Sequence, residues 1–83
     1  MFGKKKPPTI RTLIGEGTVI IGELRFSDGL RIDGEVQGDV IATGDRPSIL
    51  VISEKAKVTG QLRAGHVIIN GSVEGPVHSS DLL

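Results

Sequence analysis

From Leu30 to Val40 apolar and polar positions alternate strictly. Leu30, Ile32, Gly34, Val36, Gly38 and Val40 fall on one side, and Arg31, Asp33, Glu35, Gln37 and Asp39 on the other. A period of two belongs to an extended chain with one covered face, whereas a helix repeats every 3.6 residues. The alternation returns at Val67, Ile69, Gly71, Val73, Gly75 and Val77. Glycine adds nothing to a core, and eleven residues would make a long straight strand, so Gly34 and Gly38 predict bends where backbones approach closely. Short strands joined at glycine corners make a coil.

The alternating stretch is one part of an internal duplication in which residues 13–40 are written again as 51–77. Leu13, Ile14, Glu16, Gly22, Leu24 and Arg25 meet Val51, Ile52, Glu54, Gly60, Leu62 and Arg63 at an offset of 38. After one residue is lost, Ile32, Gly34, Val36, Gly38 and Val40 meet Ile69, Gly71, Val73, Gly75 and Val77 at an offset of 37. Four anchors share the pattern aliphatic, any, Gly, any, aliphatic, centred on Gly22, Gly38, Gly60 and Gly75. Their spacings are 16, 22 and 15 residues, and the 22 falls to about 16 once a turn-like insertion around Thr43–Ser48 is set aside. Such self-similarity predicts windings that bury their apolar faces only against neighbouring windings. The expected fold is all-β: a single-stranded parallel β-helix of about four to five rungs spaced by roughly 4.8 Å, with corner glycines at Gly22, Gly34, Gly38, Gly60, Gly71 and Gly75. A small barrel would not explain the near-constant winding. Pro76 removes a ladder donor where the first copy has Asp39, so it should lie at a bend or cause a local defect.

Composition changes the picture in three ways. A chain of 83 residues needs help to be stable, and with no cysteine for disulfides self-association is the expected source. Two Phe without Tyr or Trp give no support to nucleic-acid stacking. Lys4, Lys5, Lys6 and Arg11 give the first eleven residues +4 with no acid, which leaves −4 for the rest of a chain of net charge zero. No apolar run approaches the roughly 20 residues of a membrane-spanning helix, and the basic start lacks a secretory signal's apolar stretch, so the chain is expected in the cytoplasm.

No catalytic constellation emerges, and no cofactor is expected. His66 and His78 lack partners at metal-ligand spacing. Arg25, Asp33, Glu35, Asp39, Glu54 and Arg63 read as a solvated face of the strands. Ser79 and Ser80 stand in no nucleophile motif. Gly15 to Gly17 and Gly34 to Gly38 lack the strand, loop and helix context of a phosphate cradle, so no nucleotide is expected either.

The expected fold itself leads to self-association. A β-helix ends in a rung with unpaired backbone groups and an uncovered core, a template for a second copy. Leu13, Ile14 and Ile20 are the candidates at one end, and Val73, Val77, Leu82 and Leu83 at the other.

The phrase Leu30-Arg-Ile-Asp-Gly-Glu-Val-Gln-Gly-Asp39 resembles the signature of the bactofilins, bacterial polymer-forming cytoskeletal proteins. Val67-Ile-Ile-Asn-Gly-Ser-Val-Glu-Gly75 is similar to the family's next windings. The resemblance covers about residues 10–83 and implies a right-handed β-helix that polymerises end to end, without nucleotide, into non-polar filaments. It also implies scaffolding of cell-shape and cell-wall machinery, with cell-wall enzymes as recruited partners. The head containing Met1, Phe2, Lys4, Lys5 and Lys6 resembles the family's membrane-targeting peptide. Composition alone leaves a solubilising tail equally open; the resemblance favours the inner face of the cytoplasmic membrane. Each lysine near an anionic leaflet contributes on the order of 1 kcal/mol and Phe2 roughly 1.5 to 3. Many copies on one filament would bind firmly where one binds weakly.

The expected organisation is a disordered basic head at residues 1–9 and a β-helix polymerisation domain at 10–83. Family cores run on for further rungs, and Leu82 and Leu83 read as the opening of another. Either the C-terminal end is cut short or its last rung is open. The alternative is a hexapeptide-repeat acyltransferase, a left-handed β-helix with six-residue sides. Ile14, Ile20, Phe26 and Ile32 keep that spacing, but Gly38 breaks it.

Overall fold

The computed structural model describes residues 9–44 and 47–80. The described chain lays down three short strands per winding and then starts again on the neighbouring rung. The first rung holds β1 (Ile10–Ile14), β2 (Val19–Ile21) and β3 (Leu24–Phe26). The second holds β4 (Gly29–Ile32), β5 (Glu35–Gln37) and β6 (Val40–Ala42). The third holds β7 (Ile49–Ile52), β8 (Lys57–Thr59) and β9 (Leu62–Ala64), and the fourth β10 (His66–Ile69), β11 (Ser72–Glu74) and β12 (Val77–Ser79).

Corresponding strands pair in parallel into three four-stranded sheets. The first runs β1-β4-β7-β10, the second β2-β5-β8-β11 and the third β3-β6-β9-β12. The product is a β-solenoid of four turns without a helix among the described residues. It agrees with the parallel β-helix expected from the alternation, at the lower of the two expected rung counts.

Register follows the duplication. Ile14, Ile32, Ile52 and Ile69 form one inward column, Ile20, Val36, Val58 and Val73 a second, and Leu24, Val40, Leu62 and Val77 a third. The side chains sealed completely from water are Leu30, Ile32, Val36, Val40, Leu50, Ile52, Val58 and Leu62, all in the two middle rungs. Burying each is worth about 1.5–3 kcal/mol.

The six expected corner glycines lie between strands. The corner joining the second and third sheets is built from Gly22, Gly38, Gly60 and Gly75, all at positive φ. At Gly38, Gly60 and Gly75 an added Cβ would run into the carbonyl of the preceding glycine of the column. Only a residue without a side chain both adopts this backbone and lets the rungs approach so closely. Gly34 and Gly71 meet backbone carbonyls in the same way at the corner between the first and second sheets.

Pro76 causes no defect. It lies in the bend between β11 and β12, and its carbonyl accepts the Leu62 amide at 2.9 Å. At the matching position of the third rung the Gln61 amide leaves the ladder and donates to the Asp39 carboxylate at 2.9 Å. A proline therefore displaces no ladder donor here. The insertion joins β6 to β7, where residues 27–28 and residue 65 suffice at the other two turns. Its far end is tied down by Ser48, which is buried and whose Oγ accepts the Gly65 amide at 2.8 Å.

Candidate assembly surfaces

The ends of the solenoid expose what the middle conceals. β1, β2 and β3 at one end and β10, β11 and β12 at the other each pair on one side only among the described residues. At the C-terminal end the inward Ile69 and Val77 are 40% and 41% exposed, and Val73 is half-buried. At the N-terminal end Ile20 and Leu24 are half-buried, while Ile14 is buried. Phe26 is buried too, its ring filling the position where the second rung carries Ala42.

Six of the residues expected at the ends are thus placed as follows. Ile14 and Ile20 point inward in the first rung, Val73 and Val77 inward in the last, and Leu82 and Leu83 lie outside the described residues. Leu13 belongs to the first rung but points outward, because its register partners are the outward Arg31, Val51 and Ile68. Ile69 and Leu24 were not among the candidates, although both join the uncovered inward surface. Their signal is the duplication itself, since each shares a column with a sealed residue, Ile52 or Val40.

Gly22 marks the N-terminal end in another way. It shares the positive φ of its column, yet a Cβ there would meet nothing. The close approach that constrains Gly38, Gly60 and Gly75 has no counterpart at Gly22, the first member of the stack.

The outward polar residues form local pairs rather than a site. Arg25 pairs with Glu23, and Arg11 Nε donates to Asp28 at 2.7 Å. Asp33 accepts from the Ser53 hydroxyl one rung away and from Arg31 Nε at 2.9 Å. The Ser53 bond first, and then Arg31, hold its carboxyl below the usual aspartate range. Among the described residues no cluster of three or more His, Cys, Asp or Glu could hold a metal ion. The head with Met1, Phe2, Lys4, Lys5 and Lys6 lies outside the described residues.

A family model for bactofilins, described as polymer-forming cytoskeletal, matches residues 12–83. The chain belongs to the bactofilin family. The matched span begins within β1 and takes in all four rungs, so in this bactofilin the solenoid is the family domain. No curated protein and no solved structure matches it. Membership makes this bactofilin a member of a structural, polymer-forming family.

Proposed function

We propose that this bactofilin is a bacterial cytoskeletal scaffold that assembles end to end, without nucleotide, into filaments held on the inner face of the cytoplasmic membrane. The observation that carries the reading is the pair of open terminal rungs. Each presents edge strands, and the inward columns sealed in the middle end in the exposed Ile69 and Val77 of the last rung and the half-buried Ile20 and Leu24 of the first. Stacking a second copy there buries apolar surface at roughly 25 cal/mol per Å² and pairs backbone groups that otherwise face water. Nothing in that process calls for nucleotide hydrolysis.

Attachment rests on the head, in which Phe2 and three lysines precede two prolines, a composition that favours an extended spacer. Filaments on the membrane would then carry cell-shape or cell-wall machinery as cargo. An acyltransferase is disfavoured because windings of 16 and 15 residues do not divide into six-residue sides.

Electron microscopy and vesicle co-sedimentation of the purified chain test both parts. Long smooth filaments are expected without nucleotide, and discrete trimers would overturn the scaffold in favour of the enzyme. Replacing Phe2 and Lys4 to Lys6 together by serine should abolish co-sedimentation with anionic vesicles while filaments persist; unchanged sedimentation would refute the anchor.

A further inference from the structure

An asparagine or aspartate followed by glycine carries its own reactant. The glycine amide nitrogen, with no Cβ beside it and a freely turning backbone, can reach the side-chain carbonyl carbon of the residue before. The chain has three such pairs: Asp28-Gly29, Asp33-Gly34 and Asn70-Gly71. The fold restrains two of them. Asp28 accepts from Arg11 Nε at 2.7 Å, and Gly29 is fixed within β4 opposite Ile10 and Ile49. Asp33 is held by Ser53 and Arg31, and the Gly34 amide donates to the Ile14 carbonyl at 3.2 Å. Asn70, the chain's one asparagine, is exposed in the bend between β10 and β11. Among the described residues neither its carboxamide nor the Gly71 amide has a hydrogen-bond partner.

Position in the stack makes this difference. Asp33, Ser53 and Asn70 fill one site in consecutive rungs, each amide donating to the isoleucine carbonyl of the rung before at 2.7, 3.0 and 2.7 Å. Ser53 of the third rung covers Asp33 of the second. No described rung follows Asn70.

We infer that Asn70-Gly71 is a site of spontaneous deamidation, open in a free chain and closed when a second copy stacks on the last rung. The Gly71 nitrogen gives up its proton and attacks Asn70 Cγ. A new N–C bond closes a succinimide ring, the Cγ–Nδ2 bond breaks, and ammonia leaves with that proton. Water then opens the ring at either carbonyl, giving aspartate or isoaspartate. One water enters and one ammonia leaves, with no oxidant or enzyme needed.

Both products alter the rung by which the proposed filament grows, and protection by stacking rests on that reading. Aspartate adds a negative charge there. Isoaspartate also adds a methylene to the backbone of a corner pinned on both sides, by the Asn70 amide on the Ile52 carbonyl at 2.7 Å and the Ser72 amide on the Ala56 carbonyl at 3.1 Å. The corner has no room for it, since even a Cβ on Gly71 would run into the Ser53 and Ala56 carbonyls. A chain that finds no partner thus loses the end by which it would join one, and a chain inside a filament is spared.

Filaments of the natural chain and the unassembled Val77→Asp chain are incubated side by side at mildly alkaline pH. Each is digested and mapped by mass spectrometry, with isoaspartate scored by enzymatic methylation. Asn70 should convert at least fivefold faster in Val77→Asp than in filaments, the non-sedimenting fraction of the natural chain should follow Val77→Asp, and Asp28 and Asp33 should yield no isoaspartate. Natural chain converted in guanidinium and then refolded should form at least fivefold fewer filaments than Asn70→Gln carried through the same steps. An Asn70 that stays intact in both unassembled samples, while a synthetic peptide of residues 67–74 converts, overturns the site. Equal conversion in filaments and unassembled chain overturns the protection, and full assembly of the converted chain overturns its consequence. Conversion at Asn70 in a natural chain that never forms filaments overturns the scaffold reading and the protection with it, and leaves the modification site standing.

Discussion

Ile32, Ile52 and Ile69 occupy the same inward column in consecutive rungs, yet the first two are fully sealed and the third is 40% exposed. Val40 and Leu62 against Val77 repeat the contrast, at 0% against 41%. The residues are alike and their neighbours are not. In a globular core burial comes from many directions, but here each rung is covered only by the rungs before and after it. A middle rung is covered on both sides and a terminal rung on one. The sequence makes no distinction between them, which is the physical sense in which a unit repeated within the chain can repeat between chains.

The sharpest way to break the comparison is at the glycine corner. Gly60 has φ of +153° and an added Cβ would collide with the Gly38 carbonyl, so Gly60→Ala suffers both backbone strain and overpacking. Together these should cost on the order of 3 kcal/mol or more, a large share of the stability of a small domain. Gly22 shares the strained φ but meets nothing, and Gly22→Ala should cost about 1 kcal/mol. Urea unfolding of the two variants measures the difference. Equal losses would mean that the corner column is held by φ alone and not by the approach of rungs.

A smaller effect concerns Asp33, which ties the second rung to the third through Ser53. A carboxylate whose folded pKa lies below its unfolded one stabilises the fold above the unfolded value, and that contribution is lost as pH falls through the folded value. The bond from Ser53 and the Arg31 pair put Asp33 in this class. Between pH 7 and pH 3 the urea midpoint of the natural chain should therefore fall by more than that of Asp33→Asn, the two converging in acid. Parallel falls would deny the carboxylate a role in joining rungs.

Much of this was legible in the residues. The alternation from Leu30 to Val40 and its return after Val67 specify inward columns, and the glycine spacing specifies where the chain turns. Direction was illegible where both neighbours are apolar. Leu13 next to Ile14 offers no polar contrast, and only pairing with Arg31 reveals that it faces outward. The runs Ile49 to Ile52 and Val67 to Ile69 hide an apolar outer face for the same reason. The exposure of Ile69 and Leu24 depends on which rung lies at an end, and the repeated pattern carries no mark of that. The Asp33–Ser53 tie joins residues 20 apart, outside any local rule.

The central claim is that the uncovered inward columns of the terminal rungs are the contacts of a polymer. Val77→Asp tests it most directly. Val77 is already 41% exposed, so a charge there is tolerated in the isolated chain but would be trapped without a partner in a stacked one. Light scattering and electron microscopy of the purified protein, without nucleotide, should find long filaments for the natural chain. The variant should give no species larger than a dimer, with an unchanged β-type circular dichroism spectrum. Filaments of undiminished length from a folded Val77→Asp protein would contradict the account.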